Sequence, residues 1–338
     1  MYRKYYGFTS KPFDLAPNPD QVFMSETHQE ALAILRYGVI AKKGFLVLTG
    51  DVGTGKTTLL QVLVRSLDME VHCCLLNNPA LSRDEFFSFL AHQYNLSWEG
   101  NKALFLLAFA DFLKQCHNRD ERVLLIIDEA HMLPVEMLEE IRLLSNQDIS
   151  GQDVFSIFLV GQSELNERMS DDRLLPLRQR IGIRFHLERF SRQETAQYIS
   201  YRLRAAGGQH MDIFSEEAVN LIYKVSKGTP RLINIVCDHA LLTGFADERP
   251  VIDASLVREC VEELRFPGEE TPLPVATRQK RKRPSGLWLF ILGVLVAAAV
   301  LLLLEIIPRT RAFSPLQGVL PQEWLQWLHR LVDGASAG

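Results

Sequence analysis

Eight residues constrain this chain more than any other stretch. GDVGTGKT (50–57) follows the apolar run FLVLTG (45–50) and leads into a helical pattern, the strand–loop–helix setting in which GxxxxGK[ST] wraps a phosphate. Its glycines let the backbone turn N–H groups inward, and the following helix N-terminus adds positive potential. The cradle is assigned to Gly50, Asp51, Val52, Gly53, Thr54, Gly55, Lys56, Thr57 and Thr58. Lys56 is placed to hold β/γ-phosphates, and the Thr57 hydroxyl to complete a Mg2+ shell.

An acidic partner follows in VLLIIDEA (123–130), where a buried strand ends at Asp128 and is followed by Glu129. Asp128 is the expected Mg2+ contact and Glu129 the expected general base for an attacking water. The tetrapeptide DEAH (128–131) also suggests a helicase. About 155 residues then remain before a long apolar run, too few for a second helicase motor domain, so His131 is read as incidental. Three further groups sit where a phosphate could be sensed. Gln162 follows the strand ending VGQ; Arg178 and Arg180 precede IGIRFHL (181–187); Arg231 opens a helix in KGTPRLIN (227–234). A cation in a first helical turn opposes the helix dipole, so Arg231 is read as placed for a ligand. Arg180 is preferred over Arg178 as a finger reaching a neighbouring subunit's phosphate.

The surrounding pattern is α/β. FLVLTG (45–50), VHCCLL (71–76), VLLIID (123–128), VFSIFLVG (154–161) and IGIRFHL (181–187) read as strands. Helical patterns between them start near Gly55, Ser82, Lys102 and Pro134, which implies a parallel sheet covered on both faces. The candidate strand 71–76 intervenes in the chain between the phosphate loop and Asp128, as an additional-strand, catalytic-glutamate sheet requires. From Ser191 the pattern is helical only, over 191–206, 215–226, 230–245 and 253–264, with Ser191, Ser215 and Asp253 as N-caps.

Average composition conceals the C-terminal end. The 338 residues are 47% hydrophobic and 23% charged with net charge −4, which describes an ordinary globular protein and excludes a surface built throughout for nucleic acid. Yet residues 286–304 carry no charge, and at 1.5 Å per residue span about 28 Å, a bilayer core. RQKRKR (278–283) abuts that run and, by the positive-inside rule, places residues 1–283 on the cytoplasmic side. A Pro-rich linker precedes it, and the tail 305–338 holds an amphipathic pattern around Trp324, Trp327 and Leu331. Five cysteines without CxxC spacing fit reduced thiols rather than a metal site or disulfide frame. The expected division is therefore 1–43 (N-terminal segment and helix), 44–190 (α/β core), 191–265 (helical lid), 266–285 (linker), 286–304 (membrane helix) and 305–338 (short outer tail).

Taken together, GDVGTGKT, LLIIDEA, FLVGQ, LRQRI and GTPRLIN resemble an AAA+ ATPase with a helical lid, near the origin-recognition and transposition-regulator branch. The opening YRKYYGFTSKPFDLAPNPDQVFMSETHQEALAILRYGV is more specifically similar to the general secretion pathway A-type ATPases, and the likeness runs from about Met1 to Leu264. That resemblance implies ATP and Mg2+ as ligands, a ring-forming homo-oligomer, a single membrane pass, and a partner in an envelope secretion, pilus or exopolysaccharide assembly. It also implies that the N-terminal segment, with Tyr6, Phe8 and Phe13, approaches adenine; simple core aromatics are the alternative. Family members often carry a peptidoglycan-binding domain after the membrane, for which residues 305–338 are too short. The rival function is a DNA-dependent regulator of the transposition or origin-recognition type contacting nucleic acid through 278–283; abutment on the apolar run weighs against it.

Overall fold

Alternation within the apolar runs decides the architecture. A computed structural model of the chain describes residues 2–264 apart from 17–20, 42, 68–69, 78, 148–153 and 209–211. Five strands, β1 (Phe45–Gly50), β2 (Val71–Leu76), β3 (Arg122–Ile127), β4 (Phe155–Gly161) and β5 (Ile181–Leu187), form one parallel sheet of order β2-β3-β4-β1-β5. Successive side chains point to opposite faces of a strand. Phe45, Val47, Val123, Leu125, Ile127, Ile157 and Leu159 therefore enter one core layer. Leu46, Leu48, Leu124, Ile126, Phe158 and Val160 enter the other. Burial on both faces explains why the central strands read as unbroken apolar runs. At the edge, β5 alternates between half-buried and exposed positions until Leu187.

The helices follow from that division. One face is covered by α2 (Glu26–Ile40) and α3 (Lys56–Arg65), through Ala31, Leu35, Val39, Leu59, Leu60 and Leu63. The opposite face carries α4 (Arg83–Gln93), α5 (Lys102–Asn118) and α6 (Val135–Leu144), with the rings of Phe86, Phe87, Phe105 and Phe109 fully enclosed. Within this aromatic layer Tyr94 donates its hydroxyl to the Leu124 carbonyl at 3.1 Å, which satisfies a polar tip inside the core. Helix starts obey local chemistry. Ser82 and Ser191 form reciprocal capping boxes with Glu85 and Glu194, each such cap contributing about 1 kcal/mol. Two short helices between β4 and β5, α7 (Glu164–Met169) and α8 (Leu175–Arg178), carry no periodicity long enough to be read in the sequence.

After β5 the chain is helical only: α9 (Arg192–Ala205), α10 (Glu216–Ser226), α11 (Pro230–Ala246) and α12 (Ala254–Glu263). A single bridge, Phe214 to Ile252, closes the α10–α12 end. The first helix, α1 (Tyr2–Tyr5), and the loop after it pack here rather than against the sheet. Tyr6 donates to the Arg249 carbonyl at 2.8 Å, and Phe13 meets the edge of Phe214 at 6.1 Å.

Two expectations are corrected by this topology. The strand that separates the phosphate-loop strand from β3 in the sheet is β4, whereas β2 lies at the far edge. The rings of Tyr6, Phe8 and Phe13 are buried among lid residues and do not line the nucleotide cleft, so the core-aromatic alternative holds for them. The linker, basic run, apolar run and tail (266–338) lie outside the described residues; among those described, no helix is long and apolar enough to cross a membrane. All five cysteines are free, and burial pushes the thiols of Cys73 and Cys116 up to about 11. Cys116 also lies with His72 and Glu121, donor atoms within 4.8 Å of one another, a grouping its sequence spacing does not reveal. The imidazole already pairs with the carboxylate there, at 2.9 Å.

Candidate nucleotide-binding site

The phosphate loop gains its shape from backbone that only glycine adopts freely. Gly53 and Gly55 have φ of 77° and 100°, and a Cβ on Gly53 would lie 2.7 Å from the Cβ of Arg231. Lys56 opens α3 and is 6% exposed; its Nζ donates to the Gly50 and Asp51 carbonyls at 2.8 and 2.9 Å. Burial pushes this ammonium below its ordinary range, opposed by the charges of Glu129, Asp128 and Asp51. Thr57 donates its hydroxyl to Asp128 Oδ2 at 2.6 Å, and Asp128 Oδ1 accepts from the Glu129 N–H at 2.9 Å. Residues 71 apart in sequence thus meet because β1 and β3 run parallel and both end on this side of the sheet.

Gly53, Gly55, Lys56, Thr57 and Glu129 line a cleft of about 400 Å³, with Asp128 just behind Thr57. At one end stand Lys56, Thr57, Glu129 and Arg231, with the loop backbone. The other end is largely apolar, with Leu15, Val22, Phe23, Phe190 and Tyr198 beside Arg202 and Asn234, and Phe23 packs edge-on against both Phe190 and Tyr198. One cationic, N–H-rich end and one end with an aromatic cluster suit a nucleoside polyphosphate. The buried ammonium bonded to carbonyls alone, the glycine cradle, and the Thr57–Asp128 oxygen pair fit phosphate and Mg2+, a hard cation that takes oxygen ligands. Asp51 additionally accepts from Arg189 Nε at 2.6 Å, a half-exposed pair of little energetic weight.

Other sequence-derived candidates stand elsewhere. Gln162 does not line the cleft; its backbone N–H donates to His131 Nδ1 at 3.4 Å. Arg178 is tied down, donating to the Met169 carbonyl at 2.8 Å. Arg180 is exposed and donates to Ser145 Oγ at 2.7 Å, away from its own chain's cleft. His131, read from the sequence as incidental, is half-buried with Nδ1 3.3 Å from Glu129 Oε2.

Sequence reasoning missed the apolar end and one polar support. His28 is 4% exposed; Nε2 lies 3.0 Å from the Thr54 carbonyl, while Nδ1 lies 2.7 Å from Ser25 Oγ. With Nε2–H donating to the loop and Nδ1 accepting the serine hydroxyl, both nitrogens of a neutral ring are satisfied. Burial lowers its pKa below the ordinary 6.5, opposed by the bond to Thr54. The unfolded chain therefore binds the proton more readily, so this contribution to stability is complete above about pH 6.5 and fades as pH falls below it. Urea midpoints measured between pH 5 and 8 are expected to fall on the acid side, less steeply in His28→Gln; identical slopes contradict this account of His28.

Comparison with known proteins places the chain among relatives. A family model described as an AAA domain matches residues 40–169. General secretion pathway protein A of Aeromonas hydrophila is 37% identical over 249 residues, 73% of this chain and 45% of that protein. The chain thus spans less than half the length of this curated relative, and the resemblance read from the N-terminal segment and motifs is borne out. Among solved structures, the ORC2 protein of Aeropyrum pernix in ADPNP–ADP complexes aligns with TM-score 0.58 and 20% identity over 76% of this chain and 72% of that one. Cdc6p of Pyrobaculum aerophilum aligns at 0.55 and 17%, covering 75% and 71%. Drosophila ORC bound to DNA aligns at 0.55 and 16%, covering 76% and 67%. At these identities the likeness establishes the fold: an α/β P-loop core with a parallel five-stranded sheet.

Proposed function

Because residues 40–169 are an AAA domain and the chain is a homologue of general secretion pathway protein A, we propose that it binds ATP with Mg2+, hydrolyses it, and drives or regulates assembly of an envelope secretion or export apparatus. The observation that carries the reading is the contact of Thr57 with Asp128 beside Glu129, at the phosphate-loop end of a cleft that also holds an aromatic cluster. When bound, ATP and Mg2+ supply the phosphoryl group and neutralise its developing charge. Lys56 exchanges its two carbonyl partners for phosphate oxygens. Thr57 and Asp128 hold the metal side, Glu129 takes a proton from water, and Arg231 reaches the same end from α11.

Arg180, exposed and turned from its own cleft, acts on a neighbouring copy in a ring. Arg180→Ala is expected to lower turnover by ~10³-fold or more. Mixing it with a Lys56→Ala chain is expected to restore activity, because each supplies what the other lacks; no restoration places Arg180 in a structural role.

Residues 286–304 serve as the anchor and the ATPase faces the cytoplasm, a reading supported by the charge-free run and the cationic 278–283 before it. The related protein's name points to a secretion apparatus, while Drosophila ORC, of similar fold, is bound to DNA. A DNA-dependent regulator using the cationic run is thus the second reading. Full-length chain is expected to resist carbonate extraction from membranes, with phosphate release indifferent to DNA. Extraction with the soluble fraction, together with salt-sensitive stimulation by duplex DNA, would favour the second reading.

A further inference from the structure

Glu129 sits in strained backbone. It has φ of 54°, a left-handed conformation costly for a residue with a Cβ, two residues past the buried end of β3. Its side chain is 42% exposed, yet Oε2 is buried without a hydrogen-bond partner. What faces that oxygen is His131 Nδ1, at 3.3 Å. The same Nδ1 accepts the Gln162 backbone N–H at 3.4 Å. Close approach here depends on Gly161, since a Cβ on it would lie 3.1 Å from the His131 backbone nitrogen and 3.3 Å from Nδ1.

One ring nitrogen therefore serves two partners of opposite demand. While Nδ1 accepts from Gln162 it carries no proton, and Glu129 Oε2 is left without a donor. In the other neutral tautomer the proton sits on Nδ1 rather than Nε2, so Nδ1 donates to Oε2 and the Gln162 bond is lost. A carboxylate oxygen lacking donors takes a proton from water more readily than one already hydrogen-bonded.

We propose that His131 is a positioning residue that couples the backbone at Gln162, where β4 ends, to the carboxylate of Glu129. When the Gln162 N–H holds Nδ1, the ring is fixed beside the carboxylate and keeps it in place yet free to act; when that N–H withdraws, His131 turns to the carboxylate and restrains it, so losing the ring costs the placement as well as the restraint. The proposal rests on the ATPase reading for its consequence, and on geometry alone for the contact itself.

Two measurements on the full chain separate those layers. In steady-state kinetics, His131→Ala is expected to lower kcat by about tenfold, the scale of losing an outer hydrogen-bond partner, with the affinity for a fluorescent ATP analogue within about twofold of wild type. His131→Asn, which retains one acceptor and one donor, is expected to recover much of the loss. In nucleotide-free protein labelled with 15N-histidine, the Nδ1 resonance of His131 is expected to shift in Glu129→Gln, whose amide donates where a carboxylate cannot. An unchanged kcat in His131→Ala, equal loss in both His131 variants, or a resonance indifferent to Glu129→Gln overturns the coupling. If wild type releases no phosphate at all, the ATPase reading fails, while the resonance still decides whether the contact exists.

Discussion

Lys56→Ala is expected to abolish nucleotide binding, raising the dissociation constant for ATP by at least about 100-fold, the worth of a charge-assisted contact made in a water-poor cleft. The side chain is nearly fully buried, and its partners in this structure are carbonyls of the very loop that would hold the phosphates. Among the described residues no other cation has that position: Arg231 approaches from the lid and Arg189 is engaged by Asp51. The fold is expected to survive, because removing a buried ammonium also removes its desolvation cost, which offsets the two lost hydrogen bonds. Thermal melting in the absence of nucleotide should therefore stay within a few degrees of wild type, while the upward shift produced by ATP disappears. A variant that keeps this shift contradicts the assignment of Lys56.

Glu129→Gln has the second large effect, and of a different kind. Glutamine keeps the size and the left-handed backbone position but cannot take a proton, so kcat is expected to fall by ~10²–10⁴-fold, the usual contribution of a positioned base. Binding should persist, since Lys56, Thr57 and Asp128 are untouched. ATP recovered unhydrolysed from the variant after gel filtration is the expected observation. Wild-type turnover, or a loss of binding equal to that of Lys56→Ala, contradicts the role of Glu129.

The fold was largely legible because its signals are local. Strand alternation partitions Phe45 and Val47 from Leu46 and Leu48 without reference to anything else, and Ser82 and Ser191 announce their helices by the glutamate three residues on. The polar end of the cleft was legible for the same reason, as GDVGTGKT is one continuous stretch. Its apolar end was not. Phe23, Phe190 and Tyr198 come from three separate segments, and only the packing of the chain start against α9 brings them together. Tyr6, Phe8 and Phe13 are recognisably core-forming by type, but nothing in their spacing distinguishes a lid core from a nucleotide cleft. His131 shows the limit most clearly. Its sequence neighbours suggested only a helicase motif, whereas its role depends on β3 lying beside β4, which places residue 131 against 161 and 162.

Steady-state phosphate release from ATP by the full-length chain, with and without Mg2+ and beside the Glu129→Gln variant, tests the central claim most directly. The geometry predicts Mg2+-dependent turnover in wild type, and bound but intact ATP in the variant. ATP that binds to wild type and is never cleaved, with Mg2+ present and the chain assembled, would contradict it and leave a nucleotide-binding switch in place of an enzyme.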